Sequence, residues 1–282
     1  MAKDNTKEIN IMGEDNTKNR FYFNKELLGS PQGRSIRILA EYYGPLKKIK
    51  KNRINDTIVF FGSARIKSPE QAEQDFKSLQ NSKNDKDKLI AKKNIEMSRY
   101  YERASELSKK LTLWSKSLKS KKSRYIIVSG GGGGIMKAAN RGAHEAGGIS
   151  IGLTISLPFE SSGNKFITDG LDLKFHYFFM RKFWFMYLAK GIVVWPGGFG
   201  TLDEVMETLT LIQTKKITKK IPIVLFGKEF WNSVINWNYL VECGTISQED
   251  LDLFLITDSI ENAFEYLTSN IQMNNLKGPN FK

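Results

Sequence analysis

The sequence predicts an α/β fold with a doubly wound, mainly parallel sheet and helices on both faces. Short runs of apolar and β-branched residues alternate along the 282-residue chain with segments of helical periodicity. Three of these strand-like runs lead directly into glycine-rich loops, which is typical of strand-to-helix turns in such sheets. The chain is 40% hydrophobic, with 18 Phe and 10 Tyr, which is ample for a sizeable core.

The composition limits where the protein works. A single cysteine, Cys243, excludes an intramolecular disulfide and fits a reducing compartment. The polar first ten residues lack the apolar core of a signal peptide. No uninterrupted apolar run approaches the roughly 20 residues that span a bilayer. We therefore expect a cytoplasmic protein without a membrane partner.

The net charge of +13 is concentrated in the first half of the chain. Residues 1–129 contain 29 basic and 15 acidic residues, whereas residues 130–282 contain 14 and 15. This excess fits either a polyanion-binding surface or a set of solvated helix faces. The lysines alternate with acidic residues and leucines and lack interleaved aromatic groups. We therefore favour solvated faces and expect no nucleic-acid partner.

The first half of the chain predicts a tail, helices and one strand. Residues 1–20 are polar and aperiodic, which favours a mobile tail. Ile36, Leu39, Tyr43, Leu46 and Ile49 recur at helical spacing and predict a helix that packs on the body, with Pro45 as a potential break. The domains that we predict are a tail and packing helix over 1–55 and a main domain over 56–282. The first strand is 57–61, and a helical insertion at about 69–122 contains a polar loop at 80–88.

Strands and helices alternate through the rest of the chain. The predicted strands are 124–128, 149–155, 191–194, 221–226 and 255–256. The predicted helices are 135–143, 180–189, 231–241 and 259–269, with a short helix capped by Ser247. Residues 156–170 are predicted as a loop, and residues 174–179 as extended or turning chain.

Three glycine-rich junctions, at Gly62, Gly130–Gly134 and Gly197–Gly200, each follow a predicted strand. Parallel strands bring their carboxyl ends to one edge of the sheet, where open α/β sheets bind ligands. Glycines allow the backbone to approach a ligand closely, and a helix start supplies free N–H groups. The three converging loops therefore indicate a ligand that carries phosphate.

The third junction has a second interpretation. Thr201 and Glu204 are spaced as a capping box, in which each side chain bonds the other's backbone N–H, so Glu204 could be purely structural. The five-glycine loop fits neither the dinucleotide fingerprint nor a Walker P-loop. Metal-ligand spacing of His and Cys is missing from the sequence, and we expect no direct role for His144 or His176.

Several polar side chains remain near the predicted edge: Ser63, Arg65, Asn164, Arg181, Lys182, Thr201 and Glu204. A carboxylate beside a phosphate site would repel the phosphate, so we expect Glu204 to face the sugar. Cleavage of an N-glycosidic bond suits this arrangement, because a carboxylate stabilises an oxocarbenium-like transition state and orients water. The planar fork of Arg181 suits phosphate or sugar hydroxyls.

Residues 196–204, Pro-Gly-Gly-Phe-Gly-Thr-Leu-Asp-Glu, resemble the PGGxGTxxE signature of the Lonely-Guy (LOG) family. Residues 131–136 resemble its glycine-rich loop, which ends in Gly-Ile/Leu-Met, and Arg181-Lys182 resembles its Arg-Lys pair. The resemblance runs from about Thr57 to the C-terminus. The features that look closest to the longer bacterial branch are residues 62–65, Asn164, 177–182 and 211–214.

The resemblance implies a Rossmann-like homodimer that hydrolyses nucleoside 5′-monophosphates to free base and ribose 5-phosphate. The family's catalytic arginine and glutamate map to Arg181 and Glu204. Two departures, Lys137 after Met136 and Phe178-Phe179 before the Arg-Lys pair, bear on base specificity more than on the chemistry. Members are often labelled lysine decarboxylases, but no lysine here has a context that argues for a pyridoxal Schiff base.

We therefore predict a phosphoribohydrolase that acts on AMP or a cytokinin riboside monophosphate, without a cofactor or metal. Arg181 and Glu204 hold the ribose and stabilise the transition state, and loop N–H groups bind the 5′-phosphate. The predicted substrate- and phosphate-binding residues are Gly62, Ser63, Arg65, Gly131, Gly132, Gly133, Met136, Asn164, Lys182, Gly197, Gly198, Gly200 and Thr201. Two alternatives stay open: a carrier of the same fold that binds a nucleotide or pterin-type cofactor without hydrolysis, and a nucleic-acid-binding protein.

Overall fold

A computed structural model describes residues 20–79, 84–118, 125–155 and 163–281. The chain divides into two compact units, Met1–Leu46 and Lys47–Lys282. Apart from residue 20, the predicted tail lies outside the described residues, as do 80–83, 119–124 and 156–162 of the predicted elements. Among the helices that the structure describes, none combines the length and apolarity that a membrane crossing requires.

The described part of the first unit is helical. A 3₁₀ turn at Phe21–Phe23 precedes α1 (Lys25–Gly29) and α2 (Arg34–Lys51), which extends past the end of this unit. The helix expected at 36–49 is thus confirmed, and it continues through Pro45. Its packing on the body stays a prediction, and the side chains of Ile36, Leu39 and Tyr43 are exposed.

Seven strands form one sheet in which every pair is parallel. The strands are β1 (Asp56–Phe61), β2 (Tyr125–Ser129), β3 (Ser150–Ile155), β4 (Asp172–Phe175), β5 (Ala189–Val194), β6 (Ile223–Phe226) and β7 (Phe254–Thr257). Every residue of β1, β2, β3, β5 and β6 is buried. Burial on both faces explains why these strands are apolar runs without polar alternation.

The strand order is β4-β3-β2-β1-β5-β6-β7. The chain builds outward from β1 to β4 and then returns to place β5 on the other side of β1. This reversal creates a topological switch point between β1 and β5, whose last residues Phe61 and Val194 lie opposite each other. In open α/β sheets a ligand crevice forms outside the carboxyl ends of the strands at such a point. The predicted α/β, doubly wound fold is confirmed.

Helices cover both faces of the sheet. They are α3 (Pro69–Leu79), α4 (Asp85–Ser117), α5 (Gly134–Glu145), α6 (Phe178–Tyr187), α7 (Phe199–Gln213), α8 (Lys228–Val234), α9 (Trp237–Glu242) and α10 (Ile260–Met273), with a 3₁₀ helix at Gln248–Leu253. Leu107 of α4, Ile135 of α5 and Leu267 of α10 share a buried cluster with Ile58 and Phe60 of β1. On the other face, the rings of Phe61 and Phe185 meet at 4.9 Å, so α6 packs there.

Three predicted elements differ from the structure. Helix α4 begins at Asp85, inside the loop predicted at 80–88, because Asn84 caps it by accepting a hydrogen bond from the Lys86 N–H. The helix predicted at 231–241 is two helices, because α8 ends at Val234 and Asn236 caps α9 by accepting a hydrogen bond from the Tyr239 N–H. Strand β4 lies where only loop or extended chain was expected, since its four residues include the polar Asp172 and Lys174.

Candidate active site

The three glycine junctions meet at the switch point. The Ser63 N–H donates to the Pro196 carbonyl at 3.1 Å, and the Ile135 N–H donates to the Ser63 carbonyl at 3.0 Å. Backbone hydrogen bonds therefore connect the loop after β1 directly to the loops after β5 and β2. Gly134 has φ +56°, and a Cβ built on it would overlap the Ser63 carbonyl oxygen, so only glycine fits this crossing.

A cleft of about 610 Å³ opens at this junction. The predicted site residues that line it are Gly62, Ser63, Arg65, Met136, Arg181, Gly198, Gly200, Thr201 and Glu204. The other predicted site residues, Gly131, Gly132, Gly133, Asn164, Lys182 and Gly197, are not among the described residues that line it. The structure thus brings the predicted catalytic pair together in one cleft and separates several predicted ligand contacts from it.

The start of α7 forms one wall of the cleft. Gly198 is the N-cap, and Phe199, Gly200 and Thr201 make the first turn. The first N–H groups of a helix lack intrahelical acceptors and carry the positive end of the helix dipole. Because the helix starts at Phe199, the alternative capping-box interpretation is wrong: Thr201 and Glu204 lie inside the helix. Glycine is an effective N-cap without a side chain, so the cap left no polar signature in the sequence.

Glu204 occupies a poorly solvated position beside four charged groups. Burial raises the pKa of the Glu204 carboxyl to about 7. Arg181 and Lys182 oppose this shift, whereas Glu207 and Asp203 add to it. Opposite charges favour the ionised form and like charges disfavour it. Near neutral pH the Glu204 carboxyl therefore changes charge in response to small changes around it.

Arg181 of α6 contacts strand β3, the backbone after β2 and a ring of its own helix. Its Nε donates to the Leu153 carbonyl of β3 at 2.8 Å, and its guanidinium carbon lies 5.2 Å from the centre of the Phe185 ring. A Cβ on Gly130 would come 2.6 Å from Arg181 Nη2, so the guanidinium lies against the backbone after β2. The Arg181 side chain thus extends from α6 to the edge of the sheet, where it lines the cleft.

The Asn164 side chain holds the glycine-rich loop after β2 through hydrogen bonds to its backbone carbonyls. Its side-chain Nδ2 donates to the carbonyls of Gly131 and Gly132 at 3.0 and 3.1 Å and approaches Asn140 Oδ1 at 2.9 Å. Asn140 is fully buried and also accepts from the Ser129 hydroxyl at 2.7 Å. Sequence reasoning missed Asn140 and Ser129, because small polar residues in a helix and at a strand end carry no local signal of this network.

Lys182 of α6 contacts α7, the helix that carries Glu204, but its ammonium pairs with two other carboxylates of that helix. Its Nζ lies 2.7 Å from Asp203 Oδ2 and 3.0 Å from Glu207 Oε2. Arg65 lines the cleft from an exposed position, and its backbone N–H donates to the Ser63 hydroxyl at 3.1 Å. The cationic groups of the cleft wall are therefore Arg181 and Arg65, with Lys182 paired beside them.

Comparison with known proteins finds similarity over the second half of the chain. The family model described as "Possible lysine decarboxylase" matches residues 136–267. A protein of Oryza sativa subsp. japonica described as "Probable cytokinin riboside 5′-monophosphate phosphoribohydrolase LOG4" is 27% identical over 145 residues. This chain is therefore similar to LOG-family proteins over these residues. The match covers 51% of this chain, and it spans 60% of the length of the curated relative.

Solved structures are similar to this chain over 77% of its length. The molybdenum cofactor binding protein of Rippkaea orientalis is 17% identical, with a TM-score of 0.43 over 77% of this chain and 98% of that one. The molybdenum cofactor carrier protein of Chlamydomonas reinhardtii is also 17% identical, with a TM-score of 0.45 over 77% and 99%. At these scores the likeness carries no argument about function.

The cleft does not fit a pyridoxal Schiff base. None of the described residues that line it is a lysine.

The sequence did not single out the aromatic side chains that line the cleft as site residues, although it marked Phe178 as a departure from relatives. Phe178 is 55% exposed and Phe199 is 93% exposed, and both line the cleft.

Proposed function

We propose that the protein hydrolyses nucleoside 5′-monophosphates to a free base and ribose 5-phosphate. AMP or a cytokinin riboside monophosphate is the proposed substrate. The observation that carries the proposal is the shared cleft, which Arg181 and Glu204 line together with the first turn of α7. The activity named for the similar rice protein supports the same reaction. The LOG resemblance also supports a cytoplasmic homodimer.

The start of α7 is the proposed phosphate site. The N–H groups of Phe199, Gly200 and Thr201 lie at the positive end of a 15-residue helix and border the cleft. Helix N-termini of this kind bind phosphate through free N–H groups and the helix dipole. The Thr201 hydroxyl lies on the same wall, although Thr201 is only 7% exposed.

Glu204 is placed to act on the sugar of a nucleotide bound there. It lies four positions after Gly200, which is a rise of about 6 Å along the helix. That spacing is comparable to the span from a 5′-phosphate to the anomeric carbon of ribose. The Glu204 carboxylate would therefore lie near the glycosidic bond and away from the phosphate, which it would repel.

The proposed reaction breaks the C1′–N bond and forms a C1′–O bond with water. The departing base takes the bonding electrons and is protonated by solvent, while positive charge develops on the ribose ring. The Glu204 carboxylate stabilises this oxocarbenium-like charge and orients the attacking water, whose proton it accepts. Arg181 supports the ionised form of Glu204 and binds oxygen atoms of the ribose phosphate.

Product analysis with AMP and with isopentenyladenosine monophosphate tests the proposal. Wild type should release free base and ribose 5-phosphate, and Glu204→Gln should lose most of this activity while keeping the shape of the side chain. Glu242→Gln, which changes an exposed carboxyl on α9, is the matched control and should behave as wild type. Tight nucleotide binding by wild type without products would refute hydrolysis and establish a carrier.

A further inference from the structure

Lys182 bridges the two helices that carry the proposed catalytic pair. Its Nζ contacts Asp203 Oδ2 at 2.7 Å and Glu207 Oε2 at 3.0 Å, so one ammonium of α6 pairs with two carboxylates of α7. The Lys182 side chain is 20% exposed, but Asp203 and Glu207 are 55% and 37% exposed, so water partly screens both ion pairs.

This bridge lies one residue away from the catalytic pair on both helices. Arg181 and Lys182 are consecutive in α6, and Asp203 and Glu204 are consecutive in α7. A rotation or slide of one helix against the other would therefore disturb the Lys182–Asp203 contact and the placement of Arg181 against Glu204 together. A change of about 1 Å in such a placement can reduce turnover by about a hundredfold.

The bridge also controls the charge around Glu204. The charged groups that act on the Glu204 carboxyl are Arg181 and Lys182 from α6 and Asp203 and Glu207 from α7. Loss of the Lys182 ammonium would remove one positive charge and leave two carboxylates without their partner. Both changes disfavour an ionised Glu204.

We infer that Lys182 is a positioning residue that fixes α6 to α7 and neutralises Asp203 and Glu207 beside Glu204, and that it does not bind the substrate phosphate. This inference rests on the proposed function. A direct phosphate contact would require Lys182 in the cleft, whereas its ammonium is held by two carboxylates.

The test compares Lys182→Met with Lys182→Arg and with Asp203→Asn/Glu207→Gln. Two quantities are measured: the pH profiles of kcat and KM for AMP, and the titration of the Glu204 carboxyl by carbon-13 NMR in the ligand-free protein. For Lys182→Met we expect kcat to fall about tenfold with little change in KM. The acid limb of the kcat–pH profile of this variant and the pKa of its Glu204 carboxyl should both rise by about one pH unit.

The other variants make the test independent of that single change. Lys182→Arg should restore most of kcat, and Asp203→Asn/Glu207→Gln should move the Glu204 titration to lower pH. An increase in KM above tenfold for Lys182→Met with an unmoved acid limb would overturn the inference in favour of a phosphate contact. If wild type releases no base, the proposed hydrolysis is refuted and the NMR titration alone tests the role of Lys182. A shifted pKa of Glu204 in Lys182→Met then supports the bridge. An unchanged pKa of Glu204 refutes it.

Discussion

Replacing Glu204 by Gln should stabilise the protein at the pH where the enzyme is proposed to work. Burial raises the pKa of Glu204 from 4.5 to about 7. The folded protein therefore holds this proton between pH 4.5 and 7, where the unfolded chain has released it. Each unit of this difference corresponds to about 1.36 kcal/mol, so the ionised carboxyl costs up to about 3 kcal/mol of stability above pH 7. Water in the open cleft reduces this value.

The assay is urea unfolding of wild type and Glu204→Gln at pH 5, 6, 7 and 8. The stability that the protonated Glu204 contributes is complete below about pH 4.5 and is lost as the pH rises through about 7. The free energy of unfolding of Glu204→Gln should therefore exceed that of wild type by an amount that grows from pH 5 to pH 8. Glu242→Gln should show no such trend. An excess that does not change with pH would refute the assignment of a poorly solvated, titrating carboxyl at this position.

Three further variants test the framework around the cleft. Lys190 is fully buried, donates to the carbonyls of Leu188 and Ala189 and to Asn280 Oδ1, and lies 3.6 Å from Asp56. Lys190→Met should lower the free energy of urea unfolding by about 3–5 kcal/mol, because it leaves the buried Asp56 carboxyl without its ion-pair partner. Adding Asp56→Asn to this variant should recover much of the lost stability. Asn164→Asp removes both amide donors to the glycine-rich loop, so we expect about 1–3 kcal/mol lower stability and weaker AMP binding by calorimetry; unchanged binding would contradict the role of Asn164. Gly134→Ala should lower the melting temperature sharply, because it places a Cβ against the Ser63 carbonyl at φ +56°, whereas Gly44→Ala has open space and should not.

The position of the cleft could be predicted from the sequence, because it depends on rules that act on whole elements. Alternation of strands and helices requires parallel crossovers, and parallel crossovers place every strand's carboxyl end at one edge. Three glycine junctions after strands therefore had to meet, and the hydrogen bonds of Ser63 to Pro196 and Ile135 show that they do.

The roles of individual side chains depend on partners that sequence spacing does not reveal. Thr201 and Glu204 have capping-box spacing, but Gly198 starts the helix earlier and leaves Glu204 in the cleft wall. Asn164 was predicted to contact the ligand, but its amide is bound to carbonyls of the glycine-rich loop. Lys182 follows Arg181 directly, and its pairing with α7 becomes visible only when the two helices are packed.

The measurement that tests the central claim most directly is the incubation of AMP with the protein in oxygen-18 water, followed by mass spectrometry of both products. Hydrolysis of the glycosidic bond predicts unlabelled adenine and ribose 5-phosphate with one oxygen-18 at its anomeric position, formed by wild type and nearly lost in Glu204→Gln. Reducing the sugar immediately after short incubations preserves the label against exchange with water. Recovery of intact, bound AMP from wild type, or label in the phosphate group with adenosine as the product, would contradict the account.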